Sequence, residues 1–178
     1  MNDGPLHLLI GTWESEETGL DVSFHSDQGK IGESRFRERV VYQPRGVTRR
    51  GSQEIWTLDY TLSTWLLGSE EPFHVEVGYW TWEPETERLY RCFLVPHATA
   101  LVARGRADGT VLRLEAERLS DPPGIVSAPG EGPRISRFDA TVTLSEDEYS
   151  YQQTTVIEYP GRTTSVLHTD RNTLHRRA

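Results

Sequence analysis

The sequence predicts an all-β fold: a single closed antiparallel β-barrel of about ten strands, preceded by a short N-terminal helical turn. Three observations predict it. Apolar and polar residues alternate with a period of two along most of the chain, and no long segment shows an apolar period of 3.6. Turn residues interrupt these runs at regular intervals. The chain is also rich in Trp, Tyr and Thr, which suit a pleated, half-buried surface. There is no internal repeat and no low-complexity linker, so residues 1–178 read as one ligand-binding domain. A barrel of this strand number is wide enough to enclose one small molecule rather than only its own side chains.

Taken in order, Leu6-His7-Leu8-Leu9-Ile10 is the helical turn, and residues 11–19 read as the first strand. After a Gly29-Lys30-Ile31-Gly32 turn, Phe36, Glu38, Val40 and Tyr42 alternate with Arg35, Arg37, Arg39 and Val41. Trp56, Leu58, Tyr60 and Leu62 share a face of the third strand. In the fourth, Phe73, Val75, Val77 and Tyr79 form an apolar face, with His74, Glu76, Gly78, Trp80 and Trp82 opposite. A strand over 89–95 ends at Pro96, and residues 99–106 and 111–117 flank an Asp108-Gly109 hairpin signal. The Pro- and Gly-rich stretch 120–133 is the longest loop-like segment, a candidate lid whose acidic groups are Asp121 and Glu131. Strands over 135–144, 149–159 and 163–174 complete the chain.

Composition narrows the function. A net charge of −8 argues against nucleic acid as a partner, since phosphates call for a basic stripe, and against an anionic membrane surface. One cysteine, Cys92, rules out an intramolecular disulfide and suits a reducing compartment. Residues 1–5 lack the cationic and apolar regions of a signal peptide. No apolar run approaches the roughly 20 residues of a membrane-spanning helix. The expectation is a cytoplasmic protein, with a homodimer through an exposed barrel face left open.

Phosphate loops, paired Cys-x-x-Cys and His-Glu-x-x-His are absent. Cys92, inside an apolar run, reads as a small core residue. Of the six histidines, His7 and His25 read as surface residues, His175 as part of a frayed tail, and His97 as a group at the barrel mouth. His168 shares an alternating face with Val166, Asp170, Asn172 and Leu174, and spacing alone reads it as a histidine bonded to neighbouring polar groups. Glu14, Glu16, Glu38, Asp59 and Glu76 read as parts of solvated strand faces. Trp56, Trp65, Trp80 and Trp82 suit packing or the lining of a cavity.

Gly11-Thr12-Trp13 ahead of this strand pattern resembles the Gly-x-Trp opening of calycin-type barrels, which include lipocalins and fatty-acid-binding proteins. Leu8-Leu9-Ile10-Gly11-Thr12-Trp13, Phe73-His74-Val75-Glu76-Val77-Gly78-Tyr79-Trp80 and a histidine on the last strand resemble, more narrowly, the nitrobindin family. That resemblance implies a ten-stranded barrel holding ferric b-type haem, with His168 as proximal iron ligand and His74 and Phe73 on the distal side. It implies nitric oxide binding and, where haem is bound, peroxynitrite isomerase activity. The calycin resemblance implies that Arg171 or Arg176 covers the Trp13 indole, and Trp13, Tyr79 and Arg171 are candidate pocket or structural residues. The chain departs from the family at two places. Of the glycines that follow Gly-x-Trp only Gly19 remains, with Ser15 and Glu17 in the other positions. Thr169, not leucine, follows His168.

The leading reading is therefore a haem-binding barrel of nitrobindin type. The alternative is a non-catalytic carrier of a fatty acid or other apolar small molecule, with His168, Arg91, Arg104 or Tyr79 as polar anchors. The partner in either case is a small apolar or haem-like ligand.

Overall fold

The computed structural model describes residues 4–25, 29–95, 98–130 and 132–177. A 3-10 helix, Gly4–Leu9, leads into β1 (Gly11–His25), β2 (Lys30–Arg50), β3 (Gln53–Leu66), β4 (His74–Glu83) and β5 (Arg88–Val95). Then follow β6 (Thr99–Asp108), β7 (Val111–Glu117), β8 (Ile125–Ser127), β9 (Arg134–Leu144), β10 (Glu148–Glu158) and β11 (Val166–Arg177). Ten of these close a ring, β1-β2-β3-β4-β5-β6-β7-β9-β10-β11 and back to β1, every pair antiparallel. The three-residue β8 pairs with β6 as Leu101↔Ile125, and Ile125 is buried. The stretch 120–133 is thus partly strand.

The last strand closes on the first, with Trp13 opposite Arg176 and Asp21 opposite Asp170. β1 is longer than its alternation suggests because it is interrupted. Its register with β2 shifts between Ser15 and Gly19, leaving Glu16, Glu17 and Thr18 exposed. Ser15 stays inside and Glu17 turns outward, so the two positions where family glycines are replaced have different surroundings. The retained Gly19 has a local reason: a Cβ there would lie 2.4 Å from the Phe36 ring.

One end of the barrel is filled. Leu6 and Leu9 of the 3-10 helix plug it over Trp13, Val40, Tyr42, Leu58 and Trp80. Trp13 donates its indole N–H to the Leu9 carbonyl at 2.7 Å. Arg176, not Arg171, covers Trp13, its guanidinium carbon 4.2 Å from the ring centroid. The same guanidinium donates to the carbonyls of Leu8 at 2.9 Å and Ile10 at 2.5 Å, satisfying the end of the helix. Gly11 adopts φ +125°, and a Cβ on it would lie 2.9 Å from that guanidinium. Arg171 is exposed.

On β4 the apolar face is the outer one. Val75, Val77 and Tyr79 point outward, whereas Glu76 and Trp80 are buried. Tyr79 is 52% exposed and is not a pocket residue. The cause lies across the sheet: Glu76 pairs inside the barrel with Arg91 of β5, so the polar face is the inner one. Cys92, next along β5, is half-buried on the outer face rather than in the core. Trp80 packs the filled end, and Trp65 lies under the Arg37 guanidinium at 4.4 Å.

Candidate functional site

The other end of the barrel is hollow. A cavity of about 460 Å³ runs into it, within the range of small-molecule sites. Phe36, Leu62, Phe93, Leu101, Phe138 and Ile157 form its apolar wall, and Phe93 and Phe138 pack edge-on with centroids 5.5 Å apart. Period-two alternation explains this wall, since each of these residues sits at an inward position of its strand. At the mouth, Phe73 packs against Phe36 with a centroid separation of 6.0 Å. A larger groove on the outer surface, lined by Arg88, Tyr90, Arg104 and Arg113, lies against solvent. Arg104 is therefore not an internal anchor. Its side chain is well exposed, beside Glu115.

His168 and His74, far apart in sequence, both line the cavity, as does Phe73. His168 is bonded to polar neighbours, as its spacing alone suggests. Its Nε2 lies 2.6 Å from Asp21 Oδ2 and 3.2 Å from Asp170 Oδ1. Asp21 comes from β1 and Asp170 from β11, which pair here. The outer oxygens are held in turn: Ser23 donates to Asp21 at 2.6 Å, and Gln153 donates to Asp170 at 3.0 Å. Burial works against a charged imidazole, but the Asp170 and Asp21 carboxylates outweigh it and raise His168 to about 10. Burial likewise opposes ionisation of Asp21, yet its bond to His168 holds the carboxyl below its ordinary value. His168 is thus clamped between two carboxylates that favour its imidazolium form.

A second polar group lies deeper. Arg91, 4% exposed, donates to Glu76 at 2.5 Å and to the Tyr60 hydroxyl at 3.0 Å. Tyr60 also donates to Glu76. His74 stands at the cavity edge with its Nε2 3.8 Å from Glu76. Glu38, 1% exposed, accepts from Tyr151 at 2.7 Å and from Asn172 at 2.8 Å through Oε2, while its Oε1 has no partner. Ser15 accepts from the Glu38 amide and from Asn172. Glu38 and Glu76 are accordingly core groups, not parts of solvated faces. His25 is also a cavity residue rather than a surface one. His7 is exposed as expected; His175 is exposed too, but on β11, paired with Glu14 of β1 and Glu148 of β10 rather than in a frayed tail, and His97 lies outside the described residues.

Sequence reasoning missed Asp21 because the expected first strand ended at Gly19, before the interrupted strand resumes. It missed Glu38 and Glu76 because a buried carboxylate with a partner from another strand leaves no mark in local alternation. One departure from the resemblance did carry a signal: Ser15 joins the Glu38–Asn172 network.

The donor atoms of Asp21, His168 and Asp170 lie within 4.8 Å of one another. A haem iron ligand must be a neutral imidazole with a free nitrogen lone pair. The Nε2 of His168 is directed at the Asp21 and Asp170 carboxylates, which favour a proton on it and occupy the space in front of it. His168 in this arrangement does not fit the role of proximal ligand.

The whole chain can be compared with known proteins. The family model described as "THAP4-like, heme-binding beta-barrel domain" matches residues 2–176. The crystal structure of Rv2717c from M. tuberculosis superposes with a TM-score of 0.67 at 22% identity, over 97% of this chain and 95% of that one. At that identity the likeness is one of fold. No curated protein matches the sequence.

Proposed function

This chain belongs to the THAP4-like, haem-binding β-barrel domain family, and from that premise we propose that it binds one small, largely apolar molecule inside the hollow end of its barrel, without an iron bond to His168. The observation that carries the proposal is the cavity of about 460 Å³ with its aromatic and aliphatic wall. Burial of apolar ligand surface supplies the affinity, at roughly 25 cal/mol per Å² before the costs of association. Phe73 and His74 at the mouth and Arg91, Tyr149 and Tyr151 at the depth of the cavity set orientation. The Asp21–His168–Asp170 clamp fixes the wall where the barrel closes. The protein then acts as a carrier, and we place it in the cytoplasm, where its single cysteine stays reduced.

Haem is the second reading, favoured by the family description. Bound here, a b-type haem would bring iron to take up a diatomic ligand. Phe73 and His74 would lie beside it at the cavity mouth, and the surrounding wall would exclude water. Peroxynitrite isomerisation belongs to that reading alone.

One titration separates the two. Purified protein is titrated with hemin by absorbance, and with N-phenyl-1-naphthylamine by fluorescence, in wild type and His168→Ala. The proposal expects saturable naphthylamine binding, and any saturable hemin binding to survive His168→Ala. A Soret shift that disappears in a folded His168→Ala protein would establish iron ligation and overturn the carrier reading. No binding of either probe would remove the cavity as a ligand site.

A further inference from the structure

The charges around the cavity go beyond the carrier reading, on which this inference rests, and indicate the chemical class of the ligand. Three carboxylates line the wall, those of Asp21, Asp170 and Glu76. Among the described residues two permanent or clamped cations face them, and both are already engaged. Arg91 is ion-paired with Glu76 at 2.5 Å and bonded to Tyr60, with its guanidinium stacked 4.6 Å from the Phe93 centroid. His168 is shared between Asp21 and Asp170. The clamp therefore holds two carboxylates against one positive charge. Behind it, the unpartnered Glu38 Oε1 is a further buried acceptor, linked to the cavity through the Tyr151 hydroxyl. His25 and His74 are the remaining imidazoles in the wall.

An entering carboxylate would find no free cation among the described residues to pair with it and would meet like charge. An entering ammonium would find the carboxylate left uncompensated by the clamp. We propose that the cavity selects an apolar amine, its aliphatic or aromatic body against the Phe93–Phe138 wall and its ammonium beside Asp21 and Asp170, and that it rejects the corresponding carboxylic acid. This reverses the polarity expected of a fatty-acid carrier.

The test is competitive displacement of N-phenyl-1-naphthylamine at pH 8, where an ordinary imidazole is neutral and an alkylamine is charged. Dodecylamine, dodecan-1-ol and dodecanoate share a chain length and differ in head group. The expected result is dodecylamine binding tighter than dodecanoate by about tenfold or more, with the alcohol between them. In folded Asp21→Asn and Asp170→Asn proteins the ratio falls to about twofold or less. The wild-type ratio decides the matter even where a variant fails to fold. Dodecanoate equal to or tighter than dodecylamine overturns the proposal, as does a ratio unchanged in both folded variants. A bound probe that none of the three displaces also overturns it, while leaving the carrier reading intact. A probe that does not bind at all removes the carrier reading as well.

Discussion

Glu38 and Glu76 are two carboxylates sealed in one barrel with opposite protonation behaviour. Burial opposes charge on both. At Glu76 the Arg91 guanidinium overcomes that penalty and holds the carboxyl below its ordinary value. At Glu38 burial prevails over the bonds from Asn172 and Tyr151, and the group rises to about 7. A raised carboxylate favours the folded state while protonated and costs stability once it must ionise. The Glu38 penalty is therefore absent below about pH 4.5 and grows to its full size as pH passes 7, reaching roughly 3 kcal/mol. Glu38→Gln keeps an oxygen to accept from Tyr151 and Asn172 and never ionises. Urea unfolding of this variant is expected to match wild type near pH 5 and to exceed it near pH 8. A constant difference across that range would show that Glu38 does not titrate in the folded protein. The His168 clamp has the opposite sign. Its folded value of about 10 exceeds the ordinary 6.5, so its contribution is complete below about pH 6.5 and is lost as pH rises through 10. His168→Gln retains a donor toward Asp21 without the charge. It should lose roughly 3 kcal/mol at pH 6, with the deficit shrinking toward pH 10. A deficit that does not change with pH would point to packing rather than charge.

At the scale of elements, alternation located most strands but not always their facing. β2 read correctly because its inner positions are mostly apolar, Phe36, Val40 and Tyr42, and β11 because Val166 and Leu174 bracket its polar inner positions. On β4 alternation separated the two faces without saying which is inner; an ion pair with β5 places Glu76 inside and leaves Val77 and Tyr79 outside. A rule that apolar faces point inward cannot anticipate a partner on another strand. The Trp13–Arg176 contact was legible through the resemblance, down to the choice between two arginines. Geometry made that choice, because β11 pairs with β1 so that position 176 lies opposite Trp13 and position 171 faces solvent. Arg176 joins three elements: it covers β1's Trp13, ends the 3-10 helix at Leu8 and Ile10, and donates to Glu146 in the β9–β10 turn at 2.5 Å. Arg176→Ala should cost about 2 kcal/mol, from the lost cation–π contact and the freed carbonyls. Hydrogen exchange should localise the loss to residues 4–10 and the start of β1. Uniform loss of protection throughout the barrel would mean that Arg176 does not act as a local fastener.

For the whole molecule, the division between a filled end and a hollow end decides what a ligand does to stability. Plug, Trp13 and the Tyr42–Trp80 layer pack against one another without contact from any guest. The hollow end has apolar walls with nothing packed between them, and a guest adds contacts that the empty barrel lacks. A ligand at about 100 times its Kd stabilises the folded state by about 2.7 kcal/mol. For a chain of this size each kcal/mol raises Tm by roughly 2–4 °C, so a shift of about 5–10 °C is expected for saturating N-phenyl-1-naphthylamine. The location of the guest is testable by filling the space. Thr155 lies in the cavity wall on β10, opposite His168 on β11, and is 9% exposed. Thr155→Trp occupies the hollow end with an indole and leaves every residue of the filled end in place. The variant should keep a cooperative melt, bind naphthylamine at least about tenfold more weakly and lose most of the thermal shift. A variant that melts cooperatively and still shows the full shift would place the ligand on the outer surface, and the hollow end of the barrel would then be structural space rather than a binding site.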